Sequence, residues 1–427
     1  MPALPAAGSA SAARTVATKT LIADRQSSAV RRLLFLTSAV VFVDTLFFAA
    51  LTPLLPHYAH SLGLGKGGAG VLSAAYPAGA FLGAIPSGLV AGRLGVKPTA
   101  IVGLTLVAAC TILFGLADQA WQLDFARFAQ GLASAFSWTG AIGWLVAASP
   151  AGRRGRLIGN AFAAAVVGAL FGPVIGGVAS VAGIGWTFGA VGAASFGLVV
   201  WAALTPGDAG HEPQSPVHLM RALGDRRILV AAWFVLLPAL LFGVVGVLAP
   251  LRLAQLGFGA VAIGAVFLCS AAFEAVNNVV LGRTSDRHGP LPPIFAGLVA
   301  SIVVAALLPW PGNRFLLAVL VVAAGLSFGT FFTPGMTLLS NLAESRGLRY
   351  GYSSALVNLA WAPGQTLGAA GGGALAHATR DAVPYLALAA ICALTLLGLW
   401  RWHASIGLTT QSAPESSGSS SPITADA

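Results

Sequence analysis

Twelve stretches of this chain are apolar over the length that a helix needs to cross a bilayer. Their approximate limits are 33–55, 68–92, 97–117, 121–147, 157–180, 185–204, 228–251, 259–282, 290–309, 315–342, 351–376 and 382–402. About 20 predominantly apolar residues suffice for one crossing. In hydrocarbon every backbone N–H and C=O has to be paired within its own segment, so runs of this length specify helices and not an open sheet. Composition agrees, with 57% hydrophobic and 8% charged residues, against roughly 25% charged in soluble domains. The expectation is an all-α integral membrane protein with twelve transmembrane helices.

The net charge of +10 could suggest nucleic acid as a partner, but its distribution points to topology instead. Of the 23 Lys and Arg residues, eighteen fall on one side of the spans. Four fall on the other (Lys66, Arg252, Arg314 and Arg380), and Arg127 lies inside a span. Basic loops stay cytoplasmic, so both termini are expected in the cytoplasm, with a multi-pass protein in the plasma membrane and no nucleic-acid partner. Cys110, Cys269 and Cys392 each sit in a different apolar run, a spacing that offers neither a metal site nor an obvious disulfide.

The longest polar connection divides the chain. The expected organisation is a disordered cytoplasmic tail at 1–30, a six-helix bundle at 31–205, a central cytoplasmic loop at 206–227, a second six-helix bundle at 228–402 and a disordered cytoplasmic tail at 403–427. The halves repeat. At an offset of 194 residues Pro56 matches Pro250, Gly63 matches Gly257, Gly70 matches Gly264 and Gly88 matches Gly282. Arg93 matches Arg287, Gly95 matches Gly289 and Gly131 matches Gly325; with two extra residues, Gly168, Gly172, Gly176 and Gly177 match Gly364, Gly368, Gly372 and Gly373. Internal repeats of this kind mark a fold built from two related halves.

In the fifth span, Ala164, Gly168, Gly172, Gly176 and Ser180 recur every fourth residue. They make one stripe without bulk, against which another backbone can approach closely. Pro173 removes a helical hydrogen bond beside it. Arg127 is costly inside a span, roughly 2.5–3.5 kcal/mol on insertion scales, and Asp124, three residues away on the same face, is its local candidate partner. Asp44 lies about halfway along the first span, before Pro53 and Pro56. Glu274 lies in the eighth span, with Asn277 and Asn278 on its face. A buried acid that is neutral with a proton, and charged when it meets a cation, is the minimum that a proton:cation exchanger needs. Gln130, Ser137 and Trp138 in the fourth span, with Asn358, Trp361 and Gln365 in the eleventh, complete a candidate cavity for apolar or cationic ligands.

Five strings carry a family resemblance. Gly168-x-x-x-Gly172-Pro173-x-x-Gly176-Gly177 resembles the fifth-helix signature of proton-coupled antiporters in the major facilitator superfamily. Arg127-x-x-Gln130-Gly131 resembles that family's fourth-helix element. The turns Gly88…Arg93-Leu-Gly95 and Gly282…Asp286-Arg287-His-Gly289 resemble its cytoplasmic loop, and Asp44 followed by two prolines resembles the first helix of the twelve-span drug:proton antiporters. The first loop departs from the pattern: Gly92 stands where the acid belongs and Val96 where a base is usual, so that gate is expected to rest on packing.

The resemblance implies two pseudo-symmetric six-helix bundles around a central cavity. It further implies a role for Arg127 in proton transfer, and conformational roles for the loop residues and the Gly168–Gly177 helix as a sliding contact. The function it implies is efflux of a small apolar or cationic drug or metabolite, driven by the proton gradient without a cofactor, by a monomer. Competing expectations are an uptake symporter for a nutrient and a non-transporting membrane sensor on the same fold. A membrane enzyme is not expected, since no nucleophile–base spacing appears.

Overall fold

The computed structural model describes residues 7–150, 153–206, 216–289, 291–348 and 350–402. Side chains are described from residue 28 onward, except at 216, 279, 282, 283, 285, 286, 288, 350, 351, 354 and 402. Among the described residues there is no strand. The crossings are α1 (Ala7–Ala50), α2 (Gly65–Leu94), α3 (Val96–Leu116), α4 (Ala120–Ala148), α5 (Arg154–Ala182) and α6 (Ile184–Leu204). The second six are α7 (Arg226–Gln255), α8 (Ala260–His288), α9 (Leu291–Leu307), α10 (Arg314–Ser345), α11 (Tyr350–Thr366) and α12 (Ala382–Trp402). Ten described helices are long and apolar enough to cross a membrane. The other two crossings are α9, of 17 residues, and α11, which passes through a π-helical turn at Leu367–Gly371 and resumes as a helix at Gly372–Ala378.

Local chemistry places the ends. Gln119 and Gln122 form a capping box that starts α4, and Asp225 caps α7 by accepting from the Arg227 N–H at 2.8 Å. Gly95, between α2 and α3, has φ 96°, and its repeat partner Gly289, between α8 and α9, has φ 81°. Both turns need a left-handed residue that glycine adopts without strain.

Within the first half α1 packs on α5, α4 on α2 and α3, and α3 on α6; within the second, α7 packs on α10 and α11, α8 on α10, and α9 on α10 and α12. The halves meet along two seams, α2 with α11 and α5 with α8. The sequence repeat is kept in these contacts. A Cβ on Gly168 would lie 2.3 Å from the Phe42 carbonyl oxygen, and one on Gly364 would lie 2.2 Å from that of Leu236. Phe42 and Leu236 are themselves 194 residues apart. The seams obey the same relation. Gly70 of α2 faces the Ala369 carbonyl, at 2.6 Å from a would-be Cβ, while Gly264 of α8 faces the Pro173 carbonyl at 2.7 Å.

Three expectations meet a different structure. The backbone is helical from Ala7, where a disordered tail was expected; the segment is Ala-rich, and Ala is the strongest helix former. At about 1.5 Å per residue the 44-residue α1 outlasts the roughly 30 Å hydrocarbon core, so its first part extends beyond it. Part of the central loop is also helical. Pro216–Leu223 buries Leu219 and Ala222 against a cluster that includes Ala84, Val235 and Tyr352, because Leu219, Ala222 and Leu223 share one face. The third concerns the pairing of Arg127 with Asp124, and is taken up with the site. Residues 403–427, the expected C-terminal tail, lie outside the described residues, as do 207–215 of the central loop.

Candidate functional site

The site begins with a break in α1. Pro53 has no N–H to donate and its ring excludes the carbonyl four residues back. The helix stops at Ala50, and the chain passes through a tight turn at Thr52–Leu54 into the short helix Leu55–Ser61. The last carbonyls of α1 are left without helical partners. Arg127 of α4 supplies them: its Nη1 donates to the Phe47 oxygen at 3.0 Å and its Nη2 to the Phe48 oxygen at 3.2 Å. Nη1 also donates to Gln130 Oε1 at 2.8 Å, and Gln130 Nε2 donates to Thr111 Oγ1 at 2.8 Å. A cation at a helix C-terminus is favoured by the dipole there. The guanidinium further stacks over the rings of Tyr76, 4.9 Å from the centroid, and Phe114, 6.0 Å.

These contacts correct the expected pairing of Arg127 with Asp124. Neither ion pair among the described residues includes Asp124. Arg127 is 3% exposed, and both of its terminal nitrogens are taken by the Phe47 and Phe48 carbonyls in the last turn of α1.

Asp44 is buried at the middle of α1, 2% exposed. Its Oδ2 accepts from Ser134 Oγ at 2.6 Å and Trp138 Nε1 at 2.6 Å, and the Tyr76 hydroxyl lies 3.0 Å from it and 2.7 Å from Ser134 Oγ. Its Oδ1 has no partner among the described residues. One oxygen is thus held by groups from α2 and α4 while the other is free to carry a proton. Tyr76 joins the two charged groups, with its hydroxyl on Asp44 and its ring beneath Arg127.

Between the halves lies a cavity of about 320 Å³. The first half contributes Phe48, Thr52, Ser73, Arg127 and Pro173, and the second Phe242, Phe267, Phe332, Trp361, Gln365 and Glu274. Glu274 is the single acidic residue lining it, and among the described residues its carboxylate has no hydrogen bond or ion pair. It rests on Gly329 of α10, where a Cβ would come 2.7 Å from Glu274 Cγ. Asp44 is not a lining residue. Phe48 stands between, lining the cavity while its ring packs on Tyr76 at 5.0 Å and, edge-on, on Trp361 at 5.6 Å.

The other expected site residues divide. Arg127, Trp361 and Glu274 meet at the cavity, whereas Gln130 and Trp138 serve the polar cluster behind it. Asn277 donates to Thr330 at 3.0 Å and Asn278 accepts from Thr333 at 2.8 Å, which ties α8 to α10; Asn358 is half-buried in α11 and does not line the cavity.

The stripe Gly168, Gly172 and Gly176 packs on α1 within its own half, with Cβ positions 2.2–2.5 Å from Phe42, Ala49 and Ala50. The stripe is thus a contact inside one half. Pro173 and Gly177 alone of this string face α8, at Gly264 and Val261. At the first loop Gly88 faces the Tyr352 ring across the α2–α11 seam, and Arg93 is exposed. Lys97 donates to the Ala203 and Thr205 oxygens at the end of α6. Arg287 is exposed; the side chain of Asp286, and Gly282, lie outside those described.

Sequence reasoning missed Tyr76, Ser134 and Phe48. Ser134 was within reach, because Arg127, Gln130, Ser134 and Trp138 fall at helical spacing on one face of α4. Tyr76 and Phe48 carried no such signal, since an aromatic in an apolar run looks like any packing residue.

Comparison with known proteins agrees with this architecture. The family model of the Major Facilitator Superfamily matches residues 37–365 and again 242–422. A stretch of 94 residues is 31% identical to the MFS-type transporter ppzB of Metarhizium rileyi (strain RCEF 4871), covering 22% of this chain and 20% of that protein. A crystal structure of a bacterial homolog to the human lysosomal transporter Spinster, inward-facing and unoccupied, superposes with a TM-score of 0.73 at 15% identity, covering 90% of this chain and 99% of that one. A variant of the nucleoside transporter NupG gives 0.69 at 14%, covering 86% and 99%. With a family match over most of its length and the fold to go with it, this chain belongs to the major facilitator superfamily, as a transporter and not an enzyme.

Proposed function

We propose that the protein exports a small apolar or cationic compound across the plasma membrane in exchange for protons, by alternating access and as a monomer, with both termini in the cytoplasm. The observation that carries this reading is Glu274, a carboxylate without a partner among the described residues, in a cavity lined also by five aromatic rings and by an arginine already engaged with carbonyls. Aromatic faces and a lone carboxylate suit an amphipathic cation. Asp44, with one oxygen held and one free, takes the proton, and Tyr76 and Phe48 carry its state to the cavity wall. The Gly88–Gly95 and Gly282–Gly289 turns and the Pro173–Gly177 contact with α8 serve the conformational change. Direction follows from the intact fifth-helix string. Each charge moved down 100 mV supplies about 2.3 kcal/mol, enough for roughly 50-fold accumulation.

The test uses inside-out vesicles acidified by respiration and loaded with a pH-reporting dye. Amphipathic cations should trigger proton release in the wild type and none in Asp44→Asn. Glu274→Gln should lose the response to cations and keep that to neutral compounds. No release with a broad panel, together with nutrient uptake driven by an inward proton gradient, would replace export by symport.

A further inference from the structure

Away from the central cavity, α7 and α12 stand apart around a groove of about 530 Å³ on the outer surface of the second half. Its α7 wall is the stripe Arg226, Leu229, Val230 and Trp233, spaced as one helical face. On α12 the wall includes Leu394, Thr395 and Gly398. A Cβ on Gly398 would meet nothing within 4 Å, so the missing side chain keeps the groove open. One hydrogen bond crosses it, from Trp233 Nε1 to Thr395 Oγ1 at 3.2 Å.

The groove is apolar along its length and basic at one end. Arg226 lines it there, and Arg401, seven residues beyond Leu394 and therefore on the same face of α12, lies at the same end. Both are exposed. The neighbouring acid, Asp225, is taken by Arg346 and by the Arg227 N–H. Among the described residues no carboxylate pairs with Arg226 or Arg401. In a membrane-spanning protein a surface groove between helices faces acyl chains, and arginines at its end sit at headgroup level, where each attracts anionic lipid.

We propose that this groove binds an anionic phospholipid, one acyl chain lying between α7 and α12 and the headgroup phosphate held by Arg226 and Arg401. Guanidinium forks match phosphate oxygens in pairs. Two arginines without a counter-charge favour a headgroup of net negative charge over a zwitterionic one, whose ammonium already offsets its phosphate.

Native mass spectrometry of the full-length protein, equilibrated with equal phosphatidylglycerol and phosphatidylcholine, tests this. The wild type should retain phosphatidylglycerol in preference. Arg226→Gln with Arg401→Gln should weaken that retention by about fivefold per arginine, with phosphatidylcholine unchanged. Gly398→Leu, which fills the groove and leaves the charges alone, should also lower it; this variant stands by itself if the double variant does not fold. Equal retention of both lipids by the wild type, or unchanged phosphatidylglycerol in the arginine variant, overturns the proposal. Unchanged retention in Gly398→Leu overturns it too, by moving the anion to surface arginines. Displacement of the bound lipid by amphipathic drugs would overturn it in favour of a substrate entry.

Discussion

Tyr76 is the residue on which the two charged groups of the first half converge. Its hydroxyl lies 3.0 Å from Asp44 Oδ2 and 2.7 Å from Ser134 Oγ, and its ring lies under Arg127. Ser134 and Trp138 remain as donors when that hydroxyl is removed. Tyr76→Phe is therefore expected to keep substrate-triggered proton release, where Asp44→Asn loses it. The stability cost should be about 0.6 kcal/mol and at most about 1.7, the range for interhelical hydrogen bonds in membranes. Thermal unfolding in detergent, read beside the vesicle assay, checks both. Loss of coupling in Tyr76→Phe would make the phenol itself part of the proton path. Asp44, Arg127 and Glu274 were visible in the sequence because an ionisable group in an apolar run is costly and stands out. Their partners were not, since Asp124 was the near neighbour of Arg127 in sequence, whereas the carbonyls of Phe47 and Phe48 became available only through a break in a different helix.

Helices show the same division between what a pattern reveals and what it hides. The number of crossings, the repeat and the small-residue stripe of α5 all follow from periodicity and offset. The direction in which the stripe faces does not, because a helix face has no address until its neighbours are placed. The π turn at Leu367–Gly371 was also hidden, since Leu-Gly-Ala-Ala-Gly reads as weak helix and does not mark where the register slips. The stripe's position gives a contrast within one string. A Cβ on Gly172 would come 2.5 Å from that of Ala49 and 2.7 Å from the Leu46 oxygen, whereas one on Gly177 would meet Val261 at an ordinary 3.5 Å. Gly172→Leu should force α1 and α5 apart at a cost of 1–3 kcal/mol or more, as overpacking does, and reduce the monodisperse fraction in size-exclusion chromatography. Gly177→Ala should elute as the wild type. Equal tolerance of both would mean that the α1–α5 contact is looser than its backbone spacing implies.

Over the whole molecule the two halves are joined along α2–α11 and α5–α8, and among the described residues one ion pair crosses the first seam. Lys66 Nζ, at the start of α2, meets Asp381 Oδ1, just beyond the helix that continues α11, at 2.5 Å. The pair lies at the end of the bundle opposite the start of α2's neighbour α3 and the end of α12. Beside it the backbones touch, with Gly373 within 2.5 Å of the Lys66 oxygen by its would-be Cβ, and Gly70 against Ala369. The side chains are 29% and 24% exposed, so water screens the pair, and partly exposed ion pairs contribute at most about 1 kcal/mol. Packing therefore holds this end shut and the charges trim the balance. Lys66→Met should raise the population open at this face by no more than about fivefold, and the exchange Lys66→Asp with Asp381→Lys should restore it. Gly70→Val places bulk against a backbone carbonyl that cannot move aside, so it should open the seam further than the charge change does. Distances between spin labels on the ends of α2 and α11 nearest this pair, in a background with Cys110, Cys269 and Cys392 replaced, measure all three. A larger shift from Lys66→Met than from Gly70→Val would reverse the order and make the ion pair the principal closure of the transporter at this face.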